Sequence, residues 1–382
     1  MYSRHPRPAR NVKTDAPTFM AVLSGQAAST IRPMRDSRYV IRIARGLAGT
    51  ARQSVRTCFD LFKIILPIIF VMRLLELAGA VEWLGEAIAP VMELVGLPGK
   101  TGLAWATAML TNLYAGAAVL VSLDTPLSAA QATVLTTMML IAHNLPVELR
   151  IAQKAGTRLR IMAGLRIGGA LLAGFVLHRI YDAGGWLAGP SRAVFTGRVD
   201  ATWSAWLVGQ GIFLLKVAAV ITALLLLVRI LKALGVMDLL ARLMEPGLRM
   251  LGMSRDAAPV TVIGMTLGLA YGGGIIIQEA RSGILGKRDV FFAIALMSLC
   301  HSLIEDTILM MMLGGHVTGV LIWRGVFSLA AVFVLVRLLA KVPERIFEKH
   351  LCRVRKDRLH AEGAEDAEGR RSKAMINTDK RG

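Results

Sequence analysis

Apolar stretches about 20 residues long recur along this chain, each the length a helix needs to cross roughly 30 Å of hydrocarbon. One is LFKIILPIIFVMRLLELAGA from Leu61; another is FLLKVAAVITALLLLV, Phe213–Val228. Read along the chain, spans fall near Leu61–Ala80, Gly102–Ser122, Leu127–Val147 and Leu159–Ile180, then Gly209–Val228, Pro259–Gln278, Val290–Leu313 and Val317–Leu339. With 54% hydrophobic residues and a mean hydropathy of +0.55, the chain has more apolar surface than a soluble core of its length can bury. Lipid offers no partner to unpaired backbone groups, so these stretches are expected as helices. The expected fold class is an all-α, polytopic integral membrane protein with about four spans in each of two units.

The formal charge of +19 is concentrated in the first sixty and the last forty-odd residues. Basic flanks beside spans mark the cytoplasmic side, so both termini are expected in the cytoplasm and the spans in the cell (inner) membrane. No nucleic-acid partner is expected from this charge; the bilayer itself is the partner. Cys58, Cys300 and Cys352 show no CxxC spacing, which supports neither a disulfide framework nor a zinc ribbon. Residues 1–56 carry no short apolar core with a small-residue cleavage site, so no cleaved signal peptide is expected.

Five regions follow from composition: a basic tail over 1–58, a first helical unit over 59–181, a linker over 182–207 rich in Gly and Pro, a second unit over 208–342, and a polar tail over 343–382. Laid together with a shift of 156 to 158 positions, the two units match in order. Arg73 meets Arg229. VEWLGEAIAPVMELVG (Val81–Gly96) meets MDLLARLMEPGLRMLG (Met237–Gly252), pairing Glu82 with Asp238 and Pro90 with Pro246. Tyr114 and Gly116 meet Tyr271 and Gly273, and His143 and Glu148 meet His301 and Asp306. Four spans per unit would make the units parallel, yet the basic loop ELRIAQKAGTRLR (Glu148–Arg160) would then lie outside, against the charge rule. Either that loop folds back, or a Pro-centred segment crosses and the units are inverted.

The residues that carry chemistry are HNLPVE, His143–Glu148, and HSLIED, His301–Asp306, each closing an apolar span. Ionisable groups at that depth cost a few kcal/mol and usually face a polar interior. His301 and Glu305, four apart, are expected on one helical face. Pro146 should break its helix beside His143 and Asn144. The plainer alternative is that each His ties two helices together through a carboxylate or carbonyl.

A second group is Gly264-MTL-Gly268-LAY-Gly272-Gly273-Gly274, matched by Thr107-AML-Thr111-NLY-Ala115-Gly116. Small residues every four positions let helices pack closely, within the chain or between copies in a homo-oligomer. Asn112, Tyr114, Tyr271, Gln278 and Glu279 lie on or near these helices and join the candidate solute site. Arg73 and Arg229, near span ends, read as headgroup anchors. GLPGKTG (Gly96–Gly102) has Leu94 where a P-loop needs its first Gly, and neither HExxH nor GxSxG occurs. No enzyme, cofactor or metal motif is therefore expected.

Through the Pro-centred segments, the small-residue helices and above all HNLPVE and HSLIEDT, residues 58 to 342 resemble the membrane family that carries the nucleoside-recognition, or Gate, domain. Each half looks like one Gate unit, similar to spore maturation proteins A and B joined in one chain. The resemblance implies a transport-like helical core, since related segments occur in concentrative nucleoside carriers and ferrous-iron permeases. It names no substrate. The expectation is a carrier of a small solute, with a non-transporting scaffold or envelope-assembly factor, or a carrier of lipid-linked substrate, as alternatives.

Overall fold

The structure, a computed structural model, describes residues 37–195, 202–254, 256–282 and 285–352. The chain divides into two compact units, Met1–Gly49, of which Ser37–Gly49 is helical, and Thr50–Gly382, which holds the bundle. No strand is present among the described residues, only two isolated bridges.

The first half comprises α1 (Ser37–Leu77), α2 (Ala80–Glu93), α3 (Thr101–Leu110), α4 (Leu113–Ser122), α5 (Ala129–Ile141), α6 (Leu145–Ala155) and α7 (Leu159–Gly184). The second comprises α8 (Trp203–Ala233), α9 (Val236–Met250), α10 (Ala257–Leu267), α11 (Leu269–Ser282), α12 (Lys287–Leu299), α13 (Glu305–Met312) and α14 (Arg324–Ala340), which follows a π-helical stretch, Thr318–Trp323. A last helix, α15, spans Glu344–Leu351.

The long helices α1 and α8 stop at Gly79 and Gly235, whose φ of 66° and 72° only glycine adopts without strain. The chain then turns by 96° from α1 into α2, so this Pro-centred segment lies across the bundle end. Along α8, Leu207, Val208, Ile212 and Leu215 are exposed on a helix that is apolar all round, as lipid contact requires. The protein is an all-α membrane protein.

Three helices are long and apolar enough to cross a membrane, or up to five if each bent pair is one span, and the second stretch of each half, read from sequence as one helix, is folded back on itself. A Cβ on Gly116 would sit 2.7 Å from Ala108 Cβ and 2.9 Å from the carbonyl of Ala104, and a Cβ on Gly272 would sit 2.1 Å from Gly264 Cα. Residues eight apart in one straight helix are about 12 Å apart. So α3–α4 and α10–α11 are helical hairpins with tips at Thr111–Asn112 and Gly268. Each enters and leaves at the same end of the bundle.

Three pairs of long segments meet across the halves, each antiparallel. Ser54 meets Thr222 at 2.5 Å and Phe70 stacks edge-on against Trp206, which runs α1 against α8. Trp323 Nε1 donates to Ala173 O at 3.0 Å and Tyr181 bonds Thr318 at 2.7 Å, which runs α7 against the π-helical stretch leading into α14. Thr133 accepts from the His316 amide while His143 lies beside His301, which runs α5–α6 against α12–α13.

These pairings gather loops at two ends. At one, Arg158 donates to the carbonyls of Leu351 and Cys352, and Arg288 to those of Leu339 and Val342. The Ser254 amide, opening α10, binds Asp289 there. At the other end Gln131 donates to Gly96 O, Ser191 N–H to Leu127 O and Val194 N–H to Met312 O. The first hairpin therefore opens at the second of these ends and the other hairpin at the first. Arg73 and Arg229, corresponding residues, lie at opposite ends: Arg73 over Trp203, Arg229 bonded to Thr50.

Two tail boundaries move. Helix α1 begins at Ser37, inside the segment read as a tail to residue 58; residues 1–36 lie outside the described ones. Glu344–Leu351, assigned to the polar tail, form α15. It docks because Phe347 is fully buried against Phe291 and Phe292, and Arg288 lies over its ring. Residues 353–382 lie outside the described ones, as do 196–201 of the linker.

Candidate functional site

Both long antiparallel segments α5–α6 and α12–α13 are interrupted midway. In the first, the break expected from Pro146 lies at Ala142–Asn144, with Asn144 at φ 49° and a bend of 41°. In the second, Ser302 has φ 48° and helix resumes only at Glu305, without any proline. What the two breaks share is a hairpin backbone laid against them. The Asn144 amide donates to Ala108 O at 2.8 Å, and the Leu303 amide to Met265 O at 3.1 Å. Each hairpin thus satisfies an amide that its neighbour's break would leave unpaired.

At these breaks His143 and His301 come together, ring centroids 5.1 Å apart, both buried. His143 Nδ1 is 3.0 Å from Met139 O, and His301 Nδ1 is 2.8 Å from Met297 O. A carbonyl only accepts, so both Nδ1 atoms carry the proton and both Nε2 atoms turn inward. Glu148 Oε1 lies 3.3 Å from each Nε2, and Asp306 Oδ2 lies 3.9 Å from His143 Nε2. The expectation that His301 and Glu305 share a helical face is corrected: α12 ends at Leu299, so His301 sits in the break and Glu305 opens α13. Glu305 is half-buried there, beside Asp306 in the first turn, where the helix dipole favours negative charge.

Sequence reasoning missed two residues. Arg166 and Arg324 are both fully buried. Arg166 pairs directly with Glu148 and donates through Nε to Ile141 O at 3.0 Å, at the same break. Arg324 reaches Thr307 at 3.3 Å, while its Nε and Nη1 have no hydrogen-bond partner among the described residues. The signal was present: a charge within an apolar span, duplicated at the same offset as the histidines.

The other candidates divide. Asn112 caps α4, accepting from Ala115 N at 3.0 Å at the tip of the first hairpin. Tyr114 is half-buried within electrostatic reach of Glu305 and Asp306. Asn144 is half-buried in the break itself. Gln278 and Glu279 do not join them: they lie about 15 Å along α11 from its tip at Gly268, and Gln278 is exposed. The side chain of Tyr271 is outside the described ones, as is that of Asp238. A cavity of about 350 Å³ between α7 and the π-helical stretch, lined by Leu177, Tyr181, Trp186, His316, Trp323 and Val326, contains none of the expected residues.

A family model described as Gate, nucleoside recognition, matches residues 58–157 and 214–317. The chain belongs to the Gate family. The two matched segments are corresponding parts of the two halves and include both histidines, while Arg166 and Arg324 lie outside them. This Gate protein is similar to the uncharacterized membrane protein YvoD of Bacillus subtilis (strain 168), at 32% identity over 285 residues, covering 73% of this chain and 89% of the relative. No solved structure matches.

Proposed function

We propose that this Gate protein is a membrane transporter for a small solute, with no enzymatic activity, whose two halves are an inverted repeat. The observation that carries the reading is the meeting of His143, Glu148, His301 and Asp306 at two midway helix breaks, each flanked by the tip region of a hairpin that enters from the opposite end. Discontinuous helices at the interface of inverted repeats are where secondary transporters bind solute. Antiparallel pairing of α1 with α8, α5–α6 with α12–α13 and α7 with α14 supports a twofold axis in the membrane plane.

Charge supports the orientation. If the hairpins return to the end they entered from and α2 and α9 stay at the surface, each half crosses three times. Lys154, Arg158, Arg160, Lys287, Arg288, Lys341 and Arg345 then share the side of both termini, which the positive-inside rule makes cytoplasmic. The basic loop after Glu148 no longer conflicts with it. In intact cells, a membrane-impermeant maleimide should label Trp186→Cys, while Lys154→Cys reacts only after permeabilisation. Labelling of both in intact cells would overturn this topology.

Function is tested by uptake into proteoliposomes across nucleosides, amino acids and divalent cations, nucleosides first because of the family's description. The solute that accumulates should do so at least about 10-fold more slowly with Asp306→Asn, as loss of one charged contact predicts. If no solute on the panel accumulates or raises the melting temperature, and the variant is merely less stable, the buried groups serve helix packing in a scaffold.

A further inference from the structure

We infer that the meeting point of the two breaks is a binding site for a divalent first-row transition-metal ion, held by His143 Nε2, His301 Nε2 and the Asp306 carboxylate. This rests on the transport reading only for where a bound ion would go next, not for whether it binds.

The ligand atoms of these three residues all lie within 4.8 Å of one another. Their chemistry is more telling than their closeness. Both Nδ1–H groups are spent on backbone carbonyls, so two imidazole lone pairs point at each other's surroundings and at Glu148 Oε1, 3.3 Å from each. Acceptors facing acceptors in a buried space need a proton or a metal cation between them, and two imidazoles with a nearby carboxylate are a donor set that a metal ion fits. Ligands about 2.1 Å from a tetrahedral ion are about 3.4 Å apart; His143 Nε2 and Asp306 Oδ2 are 3.9 Å apart and no pair of the three exceeds 4.8 Å, so small side-chain shifts would close them on an ion. Orienting a metal-binding imidazole by donating its other N–H to a carbonyl is the usual outer arrangement of such sites.

Charge and donor type narrow the ion. Glu148 is balanced by Arg166, whose buried guanidinium pairs with it directly, and Arg324 is hydrogen-bonded to Thr307. Arg324 lies within electrostatic reach of Asp306, and with Glu305 beside it one carboxylate more than the two arginines balance remains to offset an added cation. Two imidazoles and a carboxylate suit Zn²⁺, Fe²⁺, Co²⁺ or Mn²⁺ over Mg²⁺ or Ca²⁺, which take oxygen ligands. The ligands come from two breaks 158 positions apart, so no local spacing in the sequence announces the site. Because the ligands belong to opposite halves, sliding one half past the other would dismantle the site. That is the property a carrier needs at its release step.

The test is Co²⁺ titration of the chelator-stripped full chain in detergent, followed by the visible absorption of tetrahedral Co²⁺. One Co²⁺ per chain is expected, displaced by Zn²⁺ and not by Mg²⁺. His143→Ala and Asp306→Asn should each weaken binding at least about 100-fold, the upper range for losing even an outer-shell partner. His301→Gln serves as a second ligand variant if His143→Ala elutes as aggregate. No Co²⁺ spectrum in the intact protein, or binding that survives in the ligand variants, overturns the inference. Uptake is measured separately: metal-free transport of another solute that still needs Asp306 would leave the transport reading intact while this one fell, and Co²⁺ binding without flux would do the reverse.

Discussion

Arg166→Met should destabilise the folded protein by about 3–5 kcal/mol, the usual cost of leaving one charge of a buried pair alone. Arg166 is fully buried, and its guanidinium meets Glu148 and the Ile141 carbonyl. Removing it strands a carboxylate that faces two imidazole nitrogens, neither of which brings a proton when neutral. The partner change should recover most of the loss: Arg166→Met with Glu148→Gln removes both charges together, and such replacements in other buried pairs are close to neutral. Melting temperature in detergent reads both. Arg324→Met is expected to cost much less, since Arg324 already leaves Nε and Nη1 without a hydrogen-bond partner among the described residues. Equal losses for Arg166→Met and the double variant would show that packing, not charge pairing, holds this region.

Gly272→Ala should cost about 3 kcal/mol, at the upper end of overpacking. Its Cβ would lie 2.1 Å from Gly264 Cα and 2.8 Å from Gly264 N, the backbone of the facing hairpin helix, which has nowhere to retreat. Gly274→Ala, two positions on, meets nothing within 4 Å. It should be neutral or stabilise by up to about 1 kcal/mol through helix propensity. Gly264→Ala falls between, because it meets mainly the flexible end of Met297. The order of the three melting temperatures tests the hairpin directly: in one straight helix Gly264 and Gly272 could not touch, and the first two variants would behave alike.

That this is a helical membrane protein was legible in the amino-acid order alone, because hydrophobic length is a property of segments. That order also located the break at Asn144, since a proline acts on its own turn, and it marked His143, Glu148, His301 and Asp306 as too costly to bury without a purpose. That Thr101–Ser122 and Ala257–Ser282 turn back on themselves emerges only from the packing. Apolar content shows that a segment prefers lipid; it does not show whether two short helices or one long one satisfy that preference, and the choice is made by glycine contacts between chain turns. The same holds for the second break, which has no proline to announce it, and for Arg166, whose role exists only once Glu148 is beside it. Gln278 and Glu279 read as neighbours of the site because they share a helix with its glycines, yet a helix carries residues away at about 1.5 Å per position, and ten positions are enough to leave.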